Sequence, residues 1–417
     1  MNLLSTYDKF SQTSPATGAL AAFRQAGYDY ALNKGLPTRK DEEWHYTSVK
    51  PLTEQDYVVA LVGAVQPSHD TLKAMKEKLN SDFYNIVFFN GVLNTTLSDE
   101  LPAGFTSGEL SQAPKFDDTF DALNGAYQAK PLVLTVKKET SVDKPVNFVF
   151  YTSNEGGNAV MVNPRISIDV GARSSVRILE SHYGTQDASY FVNSVLDLQV
   201  GESASVTYVR VQSESDKAIN IGRTRIQVAK NANLHSLAFA TGAALSRHTL
   251  DVVLKGEGSN SQINGVYAVR GNQHVDNTTL IDHAVGACNT EQLYKGILDD
   301  SARSAFCGKV LIAKNAQKAN SAQLNNNLLL SSKAEADSKP MLEIYADDVK
   351  AAHGSTVGQL DKEELFYLLS RAIPKDKAIS MLSYGYVSEV IYKLGDDCIE
   401  KWLSKHLDAA FTRFHVG

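Results

Sequence analysis

The chain has 417 residues, 43% hydrophobic and 21% charged, the composition of an ordinary folded protein rather than a disordered or collagenous one. Its 41 basic and 47 acidic residues leave a net charge of −6, which argues against wholesale nucleic-acid binding. Three scattered cysteines, Cys288, Cys307 and Cys398, exclude a disulfide framework and suit a reducing compartment. At roughly 150 residues per domain the length suggests two to three domains. The N-terminus has no basic region followed by an apolar one, and no apolar run approaches about 18 residues. The expectation is a cytoplasmic protein that neither enters membranes nor binds nucleic acid.

From Ser14 to Leu32 the text SPATGALAAFRQAGYDYAL reads as a helix. Ser14 is its expected cap, Pro15 its first residue, and Leu20, Phe23, Gly27 and Tyr30 its apolar stripe. Gly35 and Pro37 follow its end. GLPTRKDEEWHYTSV (Gly35 to Val49) interleaves charge with Trp44, His45 and Tyr46. Asp41, Glu42 and Glu43 cancel its basic residues, so a structural junction or a partner contact fits better than a nucleic-acid patch. A polar helical run spans roughly Asp70 to Leu79. In YNIVFFNGVLN (Tyr84 to Asn94), Asn90-Gly91 between apolar runs predicts a hairpin.

Between about Val133 and His353 the hydrophobic period drops to two. ISIDVGARSSVRIL, VLDLQVGESASVTYV, TRIQVAKNANLHSL and LDVVLKGEGSNSQI each read as strand, small-residue turn, strand. Val170, Val200, Val228 and Leu254 enter the turns at spacings of 30, 28 and 26 residues. VLIAKNAQKANSAQL repeats the unit from Val310. Repeats of this length without intervening helices favour a β-solenoid over a sandwich of hairpins. The run Asn325-Asn326-Asn327 suits stacked asparagines.

After His353-Gly354 the period returns to 3.6. Asp361 and Glu364 form a capping signature before Leu365, Leu368 and Leu369. Pro374 opens a second helix that Gly395 stops, and a third carries Ile399, Trp402, Leu403, Leu407, Ala410 and Phe414. These helices are expected to dock on the solenoid end or to present a face to a partner. The implied division is a helical region with a hairpin (1–95), a β-helix core (96–358) and a helical domain (359–417).

No P-loop, G-x-G-x-x-G, H-E-x-x-H, C-x-x-C or G-x-S-x-G motif occurs, which argues against most common enzyme classes. The leading site is YADDVKAAHGSTVG, Tyr345 to Gly358. His353, flanked by alanines and a glycine, is either an iron or zinc ligand or a hydrogen-bonded histidine closing the last rung. Asp347 and Asp348 point to opposite faces if both are in a strand, so they do not obviously share a site. His283 and Cys288 lie five residues apart around a VGA turn, and a buried free cysteine is the simpler reading there. Cys307 reads as a strand or core residue and Cys398 as helix packing.

GLPTRKDEEWHYTSVKPL near the start and SKPMLEIYADDVKAAHGSTVGQLDKEELFYLLSRAI near the end resemble the SufB/SufD family of the SUF iron–sulfur cluster assembly system. FFNGVL, GACNTEQLYKG and the repetitive middle follow in matching order, so the likeness covers nearly the whole chain. Length and the cysteine-poor middle point to its SufD branch. The resemblance implies a mainly β chain, with a right-handed parallel β-helix core between helical ends. It implies a non-catalytic scaffold that pairs with SufB through the β-helices and binds the ABC-type ATPase SufC through the C-terminal helical domain. Iron acquisition and a nascent Fe–S cluster at the SufB–SufD interface belong to the complex, with no cofactor held tightly by the isolated chain. His353 matches the family's ligand histidine. Ala351 stands where some relatives carry cysteine, so no thiolate is available there. A homodimer of the isolated chain is plausible because β-helix edges can pair. The alternative is a β-helix enzyme acting on polysaccharides, for which Asp347, Asp348 and Lys350 are the nearest candidates. A self-associating structural solenoid is the remaining reading.

Overall fold

The computed structural model describes residues 3–60, 66–110 and 115–414. The chain begins with α1 (Tyr7–Thr13), α2 (Gly18–Lys34), α3 (Lys50–Thr53), β1 (Tyr57–Val59), α4 (His69–Lys76) and an antiparallel hairpin of β2 (Tyr84–Phe89) and β3 (Val92–Leu93). Next come β4 (Phe105–Gly108), α5 (Thr119–Ala126), β5 (Leu132–Val136), β6 (Val146–Thr152), β7 (Ala159–Val162), β8 (Arg165–Val170), β9 (Ser175–Gly184), β10 (Tyr190–Val200) and β11 (Ser205–Ser213). They are followed by β12 (Ile219–Val228), β13 (Asn233–Ala240), β14 (Leu245–Leu254), β15 (Asn260–Val269), β16 (His274–His283), β17 (Asn289–Leu298), β18 (Arg303–Ile312), β19 (Asn320–Leu329), β20 (Glu335–Ile344) and β21 (Lys350–Gly358). The helices α6 (Lys362–Ser370), α7 (Lys375–Tyr392) and α8 (Asp397–Phe414) close the chain.

From β8 onward successive strands alternate between two sheets. Even-numbered strands stack in a sheet of 11 and odd-numbered ones in a sheet of 10. Each strand pairs in parallel with the strand two places along the chain. A sandwich of hairpins would pair sequential strands antiparallel, so the architecture is the expected β-solenoid. The turn-entering residues form one column in exact register, Val170, Val200, Val228, Leu254, His283, Ile312 and Ile344. The lumen they line is the main hydrophobic core. The turns stack as well. Arg173, Ser203 and Asn231 adopt positive φ, and each donates its backbone N–H to the next turn's carbonyl, at Glu202, Lys230 and Glu257. Gly201 permits that approach, because a Cβ there would lie 2.4 Å from the Val170 carbonyl oxygen.

Three local expectations resolve differently. Ser14 ends α1 rather than starting α2. Its N–H bonds to the Phe10 carbonyl at 2.8 Å and its own carbonyl accepts from the buried Arg24, so α2 begins after Thr17. The tertiary demand of Arg24 takes the cap away. The asparagine ladder lies not in 325–327 but on the outer face, where Asn289 donates to Asn260 at 2.9 Å and Asn260 to Asn233 at 3.4 Å. Asn325 and Asn327 point inward, bonded to each other at 2.9 Å and to Tyr267. Of the terminal helices, α7 and α8 dock along the flank of the ten-stranded sheet rather than on the solenoid end. Val387, Ile391, Leu403 and Leu407 cover Leu179, Val209, Leu237 and Val266. There the outward positions of successive rungs form the continuous apolar strip that α7 and α8 cover.

Candidate functional site

β20 and β21 form the last rung, and among the described residues no strand covers their outer edges. Several lumen-facing positions whose counterparts in earlier rungs are buried are open here. Ile344, in the aliphatic column, is 40% exposed and Val357 is 49% exposed. Tyr345 projects beside them at 61%. His353 pairs in register with Gln323, whose side chain is buried in the lumen, so the imidazole stands at the lumen mouth. It is exposed and makes no hydrogen bond or ion pair among the described residues. Exposed parallel edges of nine or ten residues are pairing templates. Pro340 interrupts the edge of β20, but β21 carries no proline.

Asp347 and Asp348 lie on a bend before β21, and with Lys350 they are exposed. Asp348 is held through its backbone, its N–H on Gln317 Oε1 at 2.8 Å and its carbonyl on the Lys318 N–H at 2.6 Å. Neither carboxylate joins His353. Among the described residues no three His, Cys, Asp or Glu side chains gather as a metal site. His353 therefore offers one imidazole at an open edge, a fraction of what an iron centre requires.

The second cluster is interior. His283 replaces an aliphatic residue in the column. Burial pushes its pKa down to about 4, and its Nε2 meets the Thr290 hydroxyl at 3.0 Å. Cys288 is fully buried and receives a hydrogen bond from Ser259 at 3.2 Å, as expected for a packed free thiol. Cys307 lies on β18 and is buried, its thiol raised to about 11 by that burial. Cys398 sits in the first turn of α8.

Gly35 to Val49 is a junction. Trp44 is buried against Phe120, and the Arg247 guanidinium stacks 4.0 Å from its ring centroid. Thr47 donates to Asp276 and meets His274 Nε2 at 2.9 Å, while Glu42 pairs with Lys339 at 2.9 Å. The segment thus clamps the outer face of β14, β16 and β20.

Among the described helices, α6 is the least covered. Asp361 caps it through the N–H groups of Glu363 and Glu364, yet none of its residues is buried. Phe366 is 71% and Tyr367 57% exposed. Helical periodicity located the stripe, but only the structure leaves it bare. α7 and α8 are anchored by Lys295–Glu389 at 2.6 Å, Arg177–Asp396 at 3.1 Å and His406. The His406 Nδ1–H donates to the Trp402 carbonyl at 2.9 Å and Nε2 accepts from the Tyr183 hydroxyl at 2.7 Å. Burial lowers its pKa to about 4, so the native state holds it neutral. The unfolded chain binds that proton near pH 6.5, so stability falls as pH drops from about 6.5 to about 4, by at most about 3 kcal/mol for this group. Urea titrations across that range check this, and His406→Gln is expected to flatten the slope.

A family model described as SUF system FeS cluster assembly, SufBD core domain, matches residues 150–386, and one for the SufBD protein N-terminal region matches 3–115. The chain belongs to the SufBD family. Relatives include the iron–sulfur cluster assembly protein SufD of Escherichia coli, 31% identical over 89% of this chain and 88% of that protein. A SufBD family protein of Synechocystis is 33% identical over 88% of this chain and 86% of its own length. SufD of Bacillus subtilis is 32% identical over 68% and 64% respectively. Membership places this SufBD chain in SUF iron–sulfur cluster assembly. No helix among the described residues is long and apolar enough to cross a membrane.

Proposed function

We propose that this SufBD chain is the SufD-type, non-catalytic subunit of a cluster-assembly scaffold, pairing with SufB through the uncovered last rung and binding the ATPase SufC through residues 359–417. The observation that carries the reading is His353, exposed at the lumen mouth of a rung with two free strand edges and an apolar rim. A second β-helix docked there would bury Ile344, Tyr345 and Val357 and extend both sheets. Iron and the nascent cluster are the cargo. His353 contributes one nitrogen ligand and the docked subunit the remainder, which accounts for a site that is incomplete in one chain.

The bare face of α6 supports the ATPase contact. Only residues 359–361 separate β21 from α6, so a partner that shifts α6 pulls on the strand that carries His353. Nucleotide-dependent affinity of SufC for one α6 position would then open or close the docked edge.

Co-expression with SufB and SufC, followed by capture of this chain through a tag, tests the reading. Both proteins are expected to co-purify. Phe366→Asp should lose SufC by about tenfold or more while keeping SufB, since it puts a charge where an aromatic side chain must be buried. Recovery of neither protein with the unmodified chain would overturn the proposal.

A further inference from the structure

We infer that Gln323 is the positioning residue for His353, accepting the imidazole Nδ1–H and turning Nε2 outward from the lumen mouth. The inference rests on the reading of His353 as a ligand, but its physical content is a property of this chain alone.

The two residues are partners in register on β19 and β21, so their side chains leave the sheet on the same side. Adjacent strands stand roughly 4.8 Å apart, a gap that a glutamine amide and an imidazole can bridge by side-chain rotation. A relay of hydrogen bonds fixes the direction of the Gln323 amide. Gln292 Nε2 donates to the Thr279 hydroxyl at 2.9 Å, which leaves Gln292 Oε1 as an acceptor. Gln323 Nε2 donates to that oxygen at 2.6 Å. The NH₂ group of Gln323 thus faces the preceding rung, and its carbonyl faces the following one, where His353 stands. Gly308 makes room for this amide, since a Cβ there would lie 2.4 Å from Gln323 Nε2.

Gln323 Oε1 is buried and has no hydrogen-bond partner among the described residues. A buried acceptor left unpaired is costly, and the His353 imidazole is an N–H donor standing in register one rung away. Histidines that bind metals are oriented in this manner, the second ring nitrogen donating to a carbonyl that sets the tautomer. A bond from Nδ1–H leaves Nε2 with its lone pair free and aimed out of the lumen.

The test reads the tautomer, not cluster yield. The chain is labelled with ¹⁵N-histidine and the His353 signals are assigned by their loss in His353→Gln. At mildly alkaline pH the wild-type signal is expected to show an Nδ1–H share about fivefold higher, relative to Nε2–H, than that of a solvated histidine. Gln323→Met removes the acceptor and should shift the tautomer ratio about fivefold toward Nε2–H, the effect of one ordinary hydrogen bond. Gln323→Glu, which keeps an acceptor, should retain Nδ1–H. An unchanged ratio in folded Gln323→Met overturns the inference. Should that variant not fold, a wild-type His353 with the tautomer ratio of a solvated histidine overturns it equally. The two readings separate cleanly. Cluster loss in His353→Ala with no tautomer change in Gln323→Met removes Gln323 alone. The expected tautomers with normal cluster yield in His353→Ala remove the ligand role alone.

Discussion

His353→Ala is expected to lower cluster formation on the reconstituted complex by about tenfold or more, while the complex still assembles. Loss of a group that merely orients a ligand already costs about 10–100-fold in metal affinity or activity, so loss of the ligand itself costs no less. The imidazole is exposed and packs against nothing that would collapse, so the substitution removes at most the single bond inferred to Gln323. Its stability should therefore stay within about 1 kcal/mol of wild type, the net worth of one hydrogen bond. Absorbance after anaerobic reconstitution with iron and sulfide reports the cluster, and a thermal melt reports the fold. His353→Cys, which restores a donor at the same edge, should recover part of the yield. Normal cluster yield from the alanine variant would take His353 out of the ligand set.

Asp276→Ala is expected to destabilise the chain by about 3–5 kcal/mol, because it leaves a buried guanidinium without its counter-charge. Arg247 and Asp276 are each about 2% exposed, and the Asp276 carboxylate also receives the Thr47 hydroxyl. The damage should be local at first. With Asp276 gone, Arg247 must hydrate, which pulls it from the Trp44 ring and loosens Gly35 to Val49 from β14 and β16. Hydrogen exchange should rise in that segment before it rises in the solenoid. The double variant Arg247→Met/Asp276→Leu should recover most of the loss, since a buried pair replaced by apolar groups of similar volume is close to neutral. A single Asp276→Ala variant within about 1 kcal/mol of wild type would show that the junction does not depend on this pair.

Much of the architecture was legible in the text because its causes are local. The alternation that marked ISIDV and VLDLQV is the alternation of lumen and exterior, and the turn-entering residues identified by spacing alone are those that stack in one column. Asp361 caps α6 and Gly395, at φ +66°, ends the α7 turn, since both act through neighbours a few residues away. Ser14 failed as a cap because Arg24, ten residues on and buried against Gln128, competes for it.

The placement of His353 was legible only in part. Its motif and its position at the end of the alternating text marked it as a candidate. Nothing local shows that its rung is uncovered, that Asp347 and Asp348 turn away from it, or that Gln323 lies above it with an unpaired carbonyl. The same holds for α6, whose stripe resembles those of α7 and α8 in sequence but meets no sheet.

Sequence by itself determined the repeat, the inward and outward faces, the turn positions and the helix starts at Asp361 and Pro374, because side-chain periodicity and capping are written within one rung or one turn. Tertiary structure alone decided which rung comes last, which flank the terminal helices cover and which charges meet at the Trp44 junction. Those outcomes depend on neighbours about 30 to more than 200 residues away, and burial at any position is set by whether such a neighbour arrives.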